Sequence, residues 1–492
     1  MAVMAAVDLG AQSGRVAVGR FDGSRLAVSE AHRFGNEPVA VAGTLRWDLH
    51  RLRRDTLDGL RAAARDAGLD SIAVDSWAVD FGLLDRAGGL VESPVHYRDA
   101  RRAAAVPDVL ARVPARELYE RTGIQLLPIN TVYELAAMAA EGDPALESAD
   151  QLLLIPDLFH HWLCGSRTTE FTNATTTQCL DAATGGWAVD LLERLEIPAR
   201  LFPEVVAPGT RLGPVSPELE LGSAVVIAVA THDTGSAVAA VPFGRGESVF
   251  LSVGTWSLVG MEVEKPLIND DTFAANLTNE GGVAGTYRLL RNVTGLWLLD
   301  ECRRCWAEEG AEHTFEELVA LAGSAPPLRS FVDPNADLFL ERGGDMPRRI
   351  RGFCRDTNQP EPAGVGETVR CVLESLALKH AETVDVLRAV TGADPAELHV
   401  VGGGARNELL CAWTAEASGL PVLAGPEEAT LLGNLLVQAT ALGEIGSLAE
   451  ARDVVRASFE PTTYEPTHSA VWQEARERFA RLRSDTGLEV SA

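Results

Sequence analysis

The stretch VMAAVDLGAQSGRVAVGRF, residues 3–21, decides the fold class of this 492-residue chain. Val3–Leu9 is apolar and predicts a buried strand, and Arg15–Phe21 predicts a second strand. The segment between them, Gly10–Gly14, is polar and begins and ends with glycine, which is typical of a tight turn. The chain therefore opens with a β-hairpin whose polar turn follows the acidic residue Asp8.

The same pattern restarts in the second half of the chain. Val249–Val253 predicts a strand, Gly254–Ser257 a turn and Leu258–Val263 a returning strand. Outward from the two hairpins, strand and helix patterns alternate, which is typical of an α/β protein. Two similar halves indicate an ancient duplication. We expect an N-terminal domain over residues 1–244, a C-terminal domain over 245–465, and a terminal helix within 466–492 that packs on the body.

Outside the hairpins, apolar runs and their flanking residues predict the other elements. Strands are predicted at Ile72–Val74, Leu152–Ile155, Val225–Ala230 and Leu398–Val401. Helices are predicted between Asp48 and Gly68, after a cap at Asp157, over Val369–Leu387 with an end at Gly392, over Leu409–Ala417, and on the face formed by Val471, Ala475, Phe479 and Leu482.

Composition excludes several classes of partner. The formal net charge is −27, so the surface repels nucleic acid and anionic lipid, and neither is an expected partner. The first residues lack a basic segment and predict a strand, not a signal peptide. The apolar runs are too short to span a bilayer. Seven cysteines are typical of a chain whose thiols stay reduced, so we expect a cytoplasmic protein. As a separate expectation, the protein is a monomer or a homodimer.

The cysteines do not indicate a metal site. Cys302 and Cys305 form a lone CxxC with no second ligand pair at a suitable spacing, which favours two buried helix cysteines over zinc. Whether Cys354 and Cys371 form a disulfide depends on whether the fold brings them together.

A phosphate site in this chain must be built from turns. There is no GxxxxGK[ST] loop, and the two lysines, Lys265 and Lys379, are far from any such loop. Backbone N–H groups of the first turn, the hydroxyl of Ser13 and the guanidinium of Arg15 are suited to an anion, and Asp8 to Mg²⁺ through water. A second polar turn at Gly254–Ser257 strengthens this interpretation, because two such turns can clamp a triphosphate.

Asp233 is the candidate catalytic residue. It follows the carboxyl end of an apolar strand and precedes a helix, which is where open α/β sheets place ligands. The alternative is a helix N-cap, for which Asp is equally suited, and spacing alone does not decide between them. The two polar turns favour a catalytic role for Asp233 over a capping role. For His232 we expect a contact role without proton transfer. Two roles are about equally plausible for a further set of charged residues: a position near the pocket, and surface or structural pairing. These residues are Asp75, Asp80, Asp99 and Arg101.

At this point the sequence resembles the FGGY carbohydrate kinases, over residues 5–465. The resemblance rests on the first turn, on His232-Asp233-Thr234, on the second turn and on Gly402-Gly403-Gly404. More specific motifs resemble those of the rhamnulokinase branch of this family: Val7–Ala11, Asp75–Phe81, Tyr97–Asp99, Thr172–Gln178, Asn279–Gly282, Gly295–Leu299 and Val401–Gly404. The resemblance implies two actin-like, ribonuclease H-like ATPase domains with a central cleft.

The resemblance also implies roles for individual residues. It assigns Asp233 as the catalytic base. The implied sugar contacts are Ala78, His232, Asp233, Thr234 and Asn292. The implied ATP contacts are Ala11, Gln12, Ser13, Gly14, Arg15, Thr255, Asp300 and Gly403. Two positions depart from the family pattern, because Ala78 replaces a usual glycine and Asp300 replaces an expected glutamine.

The implied reaction is transfer of the ATP γ-phosphoryl group, with Mg²⁺, to the C1 hydroxyl of L-rhamnulose. Within the same family, L-fuculose or xylulose is the alternative acceptor. A protein-binding actin-like ATPase is a further alternative, but it needs no base facing a sugar hydroxyl. A sugar-responsive repressor is disfavoured by the negative charge and by the absence of a helix-turn-helix pattern.

Overall fold

A computed structural model describes residues 2–66, 68–244, 247–340 and 343–486. The chain divides into two compact units. The first unit comprises Met1–Pro242, Glu262–Leu289 and Ala429–Phe459, and the second comprises Phe243–Met261, Leu290–Glu428 and Glu460–Ala492. The domain limits expected from sequence stay a prediction. Arg245 and Gly246, at the expected boundary, lie outside the described residues, as does 487–492 of the expected terminal helix.

The strands are short and lie in both halves of the chain. They are β1 (Ala2–Leu9), β2 (Ser13–Phe21), β3 (Leu26–Gly35), β4 (Val39–Val41), β5 (Thr44–Arg46), β6 (Ser71–Ser76), β7 (Phe81–Leu84), β8 (Gln151–Leu154), β9 (Thr169–Glu170), β10 (Val205–Val206), β11 (Thr210–Pro214), β12 (Val225–Ala228), β13 (Val249–Val253), β14 (Trp256–Val263), β15 (Thr278–Gly281), β16 (Tyr287–Thr294), β17 (Leu398–Val401), β18 (Val422–Ala424) and β19 (Thr462–Tyr464).

The α-helices alternate with these strands. They are α1 (Leu49–Asp66), α2 (Ala100–Arg112), α3 (Ala115–Thr122), α4 (Thr131–Glu141), α5 (Pro144–Ser148), α6 (Ile155–Cys164), α7 (Phe171–Thr176), α8 (Val189–Arg194), α9 (Asp233–Ala239), α10 (Asp270–Ala274), α11 (Trp297–Glu308), α12 (Phe315–Ser324), α13 (Met346–Asp356), α14 (Gly364–Thr391), α15 (Glu408–Ser418), α16 (Ala429–Leu442), α17 (Leu448–Ser458) and α18 (Ala470–Thr486). In the part of the chain that the structure describes, none of them is long and apolar enough to cross a membrane.

The first unit is built on a mixed six-stranded sheet with the order β11-β12-β6-β1-β2-β3. The predicted hairpin is confirmed as β1 and β2, which pair antiparallel until Leu9 faces Gly14. Strands β1, β6 and β12 run parallel to one another. Because the carboxyl ends of parallel strands meet at one edge, this arrangement gathers the residues that follow all three strands.

The second unit repeats this pairing pattern. β13 pairs antiparallel with β14 and parallel with β17, β17 pairs parallel with β18, and β18 pairs antiparallel with β19. In the first unit, β2-β1-β6-β12-β11 follows the same sequence of antiparallel, parallel, parallel and antiparallel neighbours. The repeated topology agrees with the duplication inferred from the two hairpins.

Helix α16 packs unusually close to α9 in the first unit. A Cβ atom built on Gly433 would lie 1.7 Å from the backbone oxygen of Ser236, so only glycine permits this approach. Farther along α16, Gln438 Nε2 donates to the Ala5 oxygen at 3.1 Å, and Ser71 Oγ donates to Gln438 Oε1 at 2.6 Å. These bonds fix α16 on the sheet, and α16 in turn fixes α9.

Two details of the predicted elements are wrong. Asp157 does not cap α6, because the helix already begins at Ile155, and the Asp157 carboxylate is buried and accepts a hydrogen bond from Thr169 Oγ1. On α18, Val471 is 56% exposed, whereas Trp472 is buried with Ala475, Phe479 and Leu482. The apolar face is therefore rotated by one residue, and α18 packs on α14 and α15.

The cysteines are free thiols. Cys302 and Cys305 are buried on α11, as predicted. Cys354 and Cys371 are neighbours, and a hydrogen bond between their thiols raises the pKa of Cys371 well above its ordinary value and lowers the pKa of Cys354. The fold therefore brings this pair together in the reduced form.

Candidate active site

Three acidic residues meet at the carboxyl edge of the first sheet. Asp8 on β1 lies in register with Asp75 on β6, and Ser76 bridges to His232, the residue before Asp233. The backbone N–H of Ser76 donates to the Thr231 oxygen at 2.9 Å, which holds the end of β6 beside the start of α9. Parallel pairing therefore brings together residues that are more than 200 positions apart in sequence.

Asp233 is the first residue of α9 and does not serve as its N-cap. His232 occupies the N-cap position and makes no side-chain capping bond. The Asp233 Oδ1 atom accepts from the backbone N–H of Thr234 at 2.5 Å and from Thr234 Oγ1 at 3.1 Å. About 31% of the Asp233 side chain is exposed. The capping alternative is therefore wrong, and the carboxylate is held at the surface of this edge.

Burial and neighbouring carboxyls raise the pKa of Asp233 and of Asp75. Loss of water raises the pKa of Asp233 above its ordinary value, the neighbouring His232 opposes this shift, and Asp8 adds to it. Burial and then Asp8 raise the pKa of the fully buried Asp75 much further, against a hydrogen bond from Asn434 Nδ2 at 2.5 Å. Asp75 thus belongs to the site, but it is not exposed to a ligand.

The first turn is rigid at its base and exposed at its tip. The Gly10 N–H donates to the Ser13 oxygen, the Asn36 N–H donates to the Gln12 oxygen, and Asn36 Nδ2 donates to the Gly10 oxygen, at 2.8–2.9 Å. Gln12 and Ser13 are exposed, whereas Gly14 packs on Phe34 so closely that no Cβ would fit. Sequence reasoning missed Asn36, since nothing in its local context distinguishes it from other loop asparagines.

Arg15 is bonded to Asp8 and does not project freely from the turn. Its Nε and Nη2 atoms donate to Asp8 Oδ2 at 2.9 and 2.8 Å. The cause is the antiparallel register, which places Asp8 opposite Arg15 on one face of the hairpin. The residue expected to bind phosphate therefore neutralises the residue expected to serve Mg²⁺.

In the second unit, the second turn is fixed by the start of α11. The Gly295 N–H donates to the Thr255 oxygen at 3.1 Å, and the Leu296 N–H donates to the Gly254 oxygen at 3.0 Å. A Cβ on Gly295 would lie 2.6 Å from the Trp256 backbone carbon, so this approach also requires glycine. Asp300 lies in the first turn of α11. Residues 255 and 300 therefore belong to one local structure.

The triple glycine, residues 402–404, packs against Val253. This residue ends β13 and lies two positions before Thr255. Gly402 has φ +82°, which favours glycine, and a Cβ on Gly404 would lie 2.2 Å from Val253 Cγ1. Gly403 is exposed, and a Cβ there would meet nothing within 4 Å. Two of the three glycines are thus needed by the fold, and the third leaves open space above the backbone.

Ala78 and Asn292, the other two expected sugar contacts, are both half-buried. Ala78 is half-buried in the loop after β6, next to Val79, whose φ of +66° marks a tight backbone turn. Asn292 is half-buried on β16. The sugar contacts assigned to both residues stay predictions.

Three of the undecided residues are structural. Asp80 is buried and accepts from Trp47 Nε1, Trp77 Nε1 and Arg102 Nη2 at 2.6–2.9 Å. Asp99 is the N-cap of α2. Arg101 pairs with Glu134. Each of these residues has protein partners that account for its charge.

Glu170 also supports the site, and sequence reasoning missed it. Its buried carboxylate accepts from the backbone N–H and hydroxyl groups of Thr172 and of Thr231, at 2.6–2.9 Å. Thr172 Oγ1 in turn accepts from the His232 N–H at 3.2 Å. Glu170 therefore fixes the backbone immediately before Asp233.

Burial raises the pKa of Glu170 to about 7, which predicts a pH-dependent stability. A carboxyl whose pKa is raised by folding stabilises the folded state below its unfolded pKa, and this contribution is lost as pH rises through the folded value. We expect the difference in unfolding free energy, wild type minus Glu170→Gln, to fall by about 1.4 kcal/mol per pH unit between about pH 4.5 and 7. Urea denaturation across this range measures it, and a constant difference would contradict the shift.

No group of three or more His, Cys, Asp or Glu side chains that could hold a metal ion is found among the described residues. A cation at this edge would therefore need water or substrate oxygens to complete its coordination. Asp8 is suited to this, since its carboxylate is 10% exposed and only Oδ2 accepts from Arg15 in the bonds above.

Two family models together cover most of the chain. The model of the FGGY family of carbohydrate kinases, N-terminal domain, matches residues 3–240, and the C-terminal domain model matches residues 249–442. The chain belongs to the FGGY family of carbohydrate kinases. Among curated FGGY proteins, a rhamnulokinase from Bacteroides thetaiotaomicron is 42% identical over 475 residues, which covers 96% of this chain and 97% of that protein.

Solved structures with the FGGY kinase architecture match over nearly the whole chain. A ligand-bound xylulose kinase from Lactobacillus acidophilus has a TM-score of 0.79 at 17% identity and covers 99% of both chains. A gluconate kinase from the same organism has a TM-score of 0.79 at 17% identity, with 100% of this chain and 99% of that chain covered. These likenesses show the two-domain fold expected from the sequence.

Proposed function

We propose that the protein transfers the γ-phosphoryl group of ATP to the C1 hydroxyl of L-rhamnulose, giving L-rhamnulose 1-phosphate and ADP. The observation that carries the reaction type is the Asp233 carboxylate, held part-exposed at the carboxyl edge of the first sheet. The similarity to a rhamnulokinase over 96% of the chain supports the choice of sugar.

Asp233 acts as the general base in this proposal. A sugar hydroxyl is a poor nucleophile while it is protonated, and a carboxylate within hydrogen-bond reach orients it and accepts its proton as the new P–O bond forms. The raised pKa of Asp233 makes it a stronger base than an ordinary Asp. The bonds from Thr234 hold Oδ1, so the carboxylate does not need to reorient during the reaction.

The proposed ATP contacts come from turns in each of the two units. Ala11, Gln12, Ser13, Gly14 and Arg15 present the first turn to the phosphates. In the second unit, Thr255 binds phosphate, Asp300 lies near the nucleotide, and the open space above Gly403 accepts the adenosine part. Rigid turns are suited to this role, because a preformed set of N–H donors loses little entropy on binding an anion.

Mg²⁺ would be held by Asp8 through water. When bound, the ion neutralises charge on the phosphate oxygens during transfer. Arg15 orients the Asp8 carboxylate through its two bonds to Oδ2. Ala78, His232, Thr234 and Asn292 contact the sugar in this proposal, and the enzyme works in the cytoplasm, where ATP is available.

L-Rhamnulose is expected to give the highest kcat/KM among ketoses and polyols tested with Mg-ATP. The physical reason is that a pocket shaped for one sugar binds its transition state better than that of a sugar with misplaced hydroxyls. ADP release over a panel that includes L-fuculose, xylulose and glycerol measures this. The matched variant is Ala78→Gly, which restores the glycine usual in the family and should keep L-rhamnulose as the best substrate.

A tenfold preference for another sugar, about 1.4 kcal/mol in transition-state binding, would overturn the named substrate and keep the kinase class. A lack of sugar-dependent ADP release over the whole panel would contradict the kinase assignment itself.

A further inference from the structure

A buried arginine lies behind His232, on the side away from Asp233. Arg288 Nη2 is 3.1 Å from His232 Nδ1 and 3.2 Å from Glu280 Oε2, and Arg288 Nε donates to the Gly281 oxygen at 2.9 Å. On the other side of the ring, His232 Nε2 is 3.4 Å from Asp233 Oδ1. The Arg288 side chain is fully buried, so a substrate does not reach it in this structure.

The position of the ring hydrogen of His232 follows from these contacts. Arg288 can only donate hydrogen bonds, and its Nη2 carries two hydrogens. With a bare Nδ1, one of these hydrogens goes to His232, and Glu280 stays beside the guanidinium as its ion-pair partner. With a protonated Nδ1, an N–H of the ring would point at an N–H of a buried guanidinium, and one donor would lose its acceptor, which is unfavourable in a buried site.

Glu280 does not reverse this conclusion. Its Oε2 atom lies 3.2 Å from His232 Nδ1 and would accept a hydrogen from it, but the same oxygen already faces Arg288. The ion pair between Arg288 and Glu280 is kept in either case, so only a bare Nδ1 gives the Nη2 hydrogen that faces the ring an acceptor.

We propose that Arg288 is a positioning residue that holds His232 in the Nε2–H tautomer, so that His232 donates toward Asp233 and orients the base. The proposal rests on the proposed function, because it gives Asp233 the role of base. His232 then works as a donor to the Asp233 carboxylate or to a sugar oxygen beside it, and it takes no proton from the substrate.

The tautomer can be measured without substrate. In full-length protein labelled with ¹⁵N-histidine, a bare and a protonated ring nitrogen give well-separated NMR shifts, and the His232 signals are identified by their loss in His232→Gln. We expect a bare Nδ1 and a protonated Nε2 at neutral pH in the wild type. A protonated Nδ1 in the wild type would overturn the proposal whatever the activity measurements show.

Variants of the ion pair test the role of Arg288. Arg288→Met should protonate Nδ1 and lower kcat about 10- to 100-fold, the loss usual when the outer partner of a working histidine is removed, with the KM for ATP within about twofold. Arg288→Lys, which keeps a donor and a charge, should restore the tautomer and most of kcat. Glu280→Gln should keep the Nε2–H tautomer. If Arg288→Met does not fold, the spectra of the wild type and of Arg288→Lys decide which tautomer His232 adopts.

An Arg288→Met protein that keeps both the Nε2–H tautomer and wild-type kcat would contradict the positioning role. Failure of the proposed function is distinguishable, since it would show as activity retained in Asp233→Asn with the tautomer of His232 unchanged.

Discussion

Asp233→Asn is expected to lower kcat by about 10²–10⁴-fold, on the order of 3–5 kcal/mol in barrier height, and largely to spare ATP binding. Asn keeps the shape of the side chain and still accepts from Thr234 through its oxygen, but it does not take the proton of the sugar hydroxyl. Because His232, and not Asp233, occupies the N-cap of α9, the substitution removes no cap from the helix. Initial rates and nucleotide titration by calorimetry measure the two effects.

Asp8→Asn is the matched control for this variant. Loss of the Asp8 charge removes its ion pair with Arg15 and weakens the proposed hold on Mg²⁺, so the expected defect is in the use of metal and nucleotide. High Mg²⁺ should partly restore the activity of Asp8→Asn and should not restore that of Asp233→Asn. An Asp233→Asn enzyme with more than about a tenth of wild-type kcat, a loss under about 1.4 kcal/mol, would contradict the base assignment.

Gly433→Ala is expected to destabilise the first unit by about 3 kcal/mol or more and to lower kcat at least tenfold. The new Cβ would lie 1.7 Å from the Ser236 oxygen, which belongs to backbone and cannot rotate away. Ser236 is itself fixed, since its hydroxyl donates to the Ala230 oxygen at 2.7 Å. Helix α9 must therefore move, and it carries Asp233 at its first residue. Chemical denaturation and steady-state kinetics measure the two losses.

The matched control is Gly352→Ala, the same substitution inside another helix, α13. There the new Cβ would meet only the end of the Arg355 side chain at 3.6 Å. Alanine favours helix over glycine by about 0.5–1 kcal/mol, so this variant should be slightly more stable than the wild type, with unchanged kinetics. Equal stability of Gly433→Ala and Gly352→Ala would show that α16 and α9 do not pack as closely as described.

Local sequence determined the two hairpins and the motifs of the site. An apolar strand, a glycine-containing polar turn and a returning strand occupy adjacent residues, so their pairing needs no information from elsewhere in the chain. This is why β1–β2 and β13–β14 were predictable, as was the end of the long helix α14 at Gly392, where a left-handed residue is required. The family resemblance depends on such short motifs as well.

Only the tertiary structure decided which residues support the site, because their partners are distant in sequence. Asn434 bonds to Asp75 across 359 positions, and Arg288 reaches His232 across 56. The sequence also did not distinguish the roles of Asp75 and Asp80. In the structure, Asp80 forms an ion pair with an arginine, whereas Asp75 lies near two other carboxyls at the edge of the sheet. Propensity and turn chemistry act over a few neighbouring residues, but the charge around a buried group is set by strands and helices that the fold brings together from distant parts of the chain.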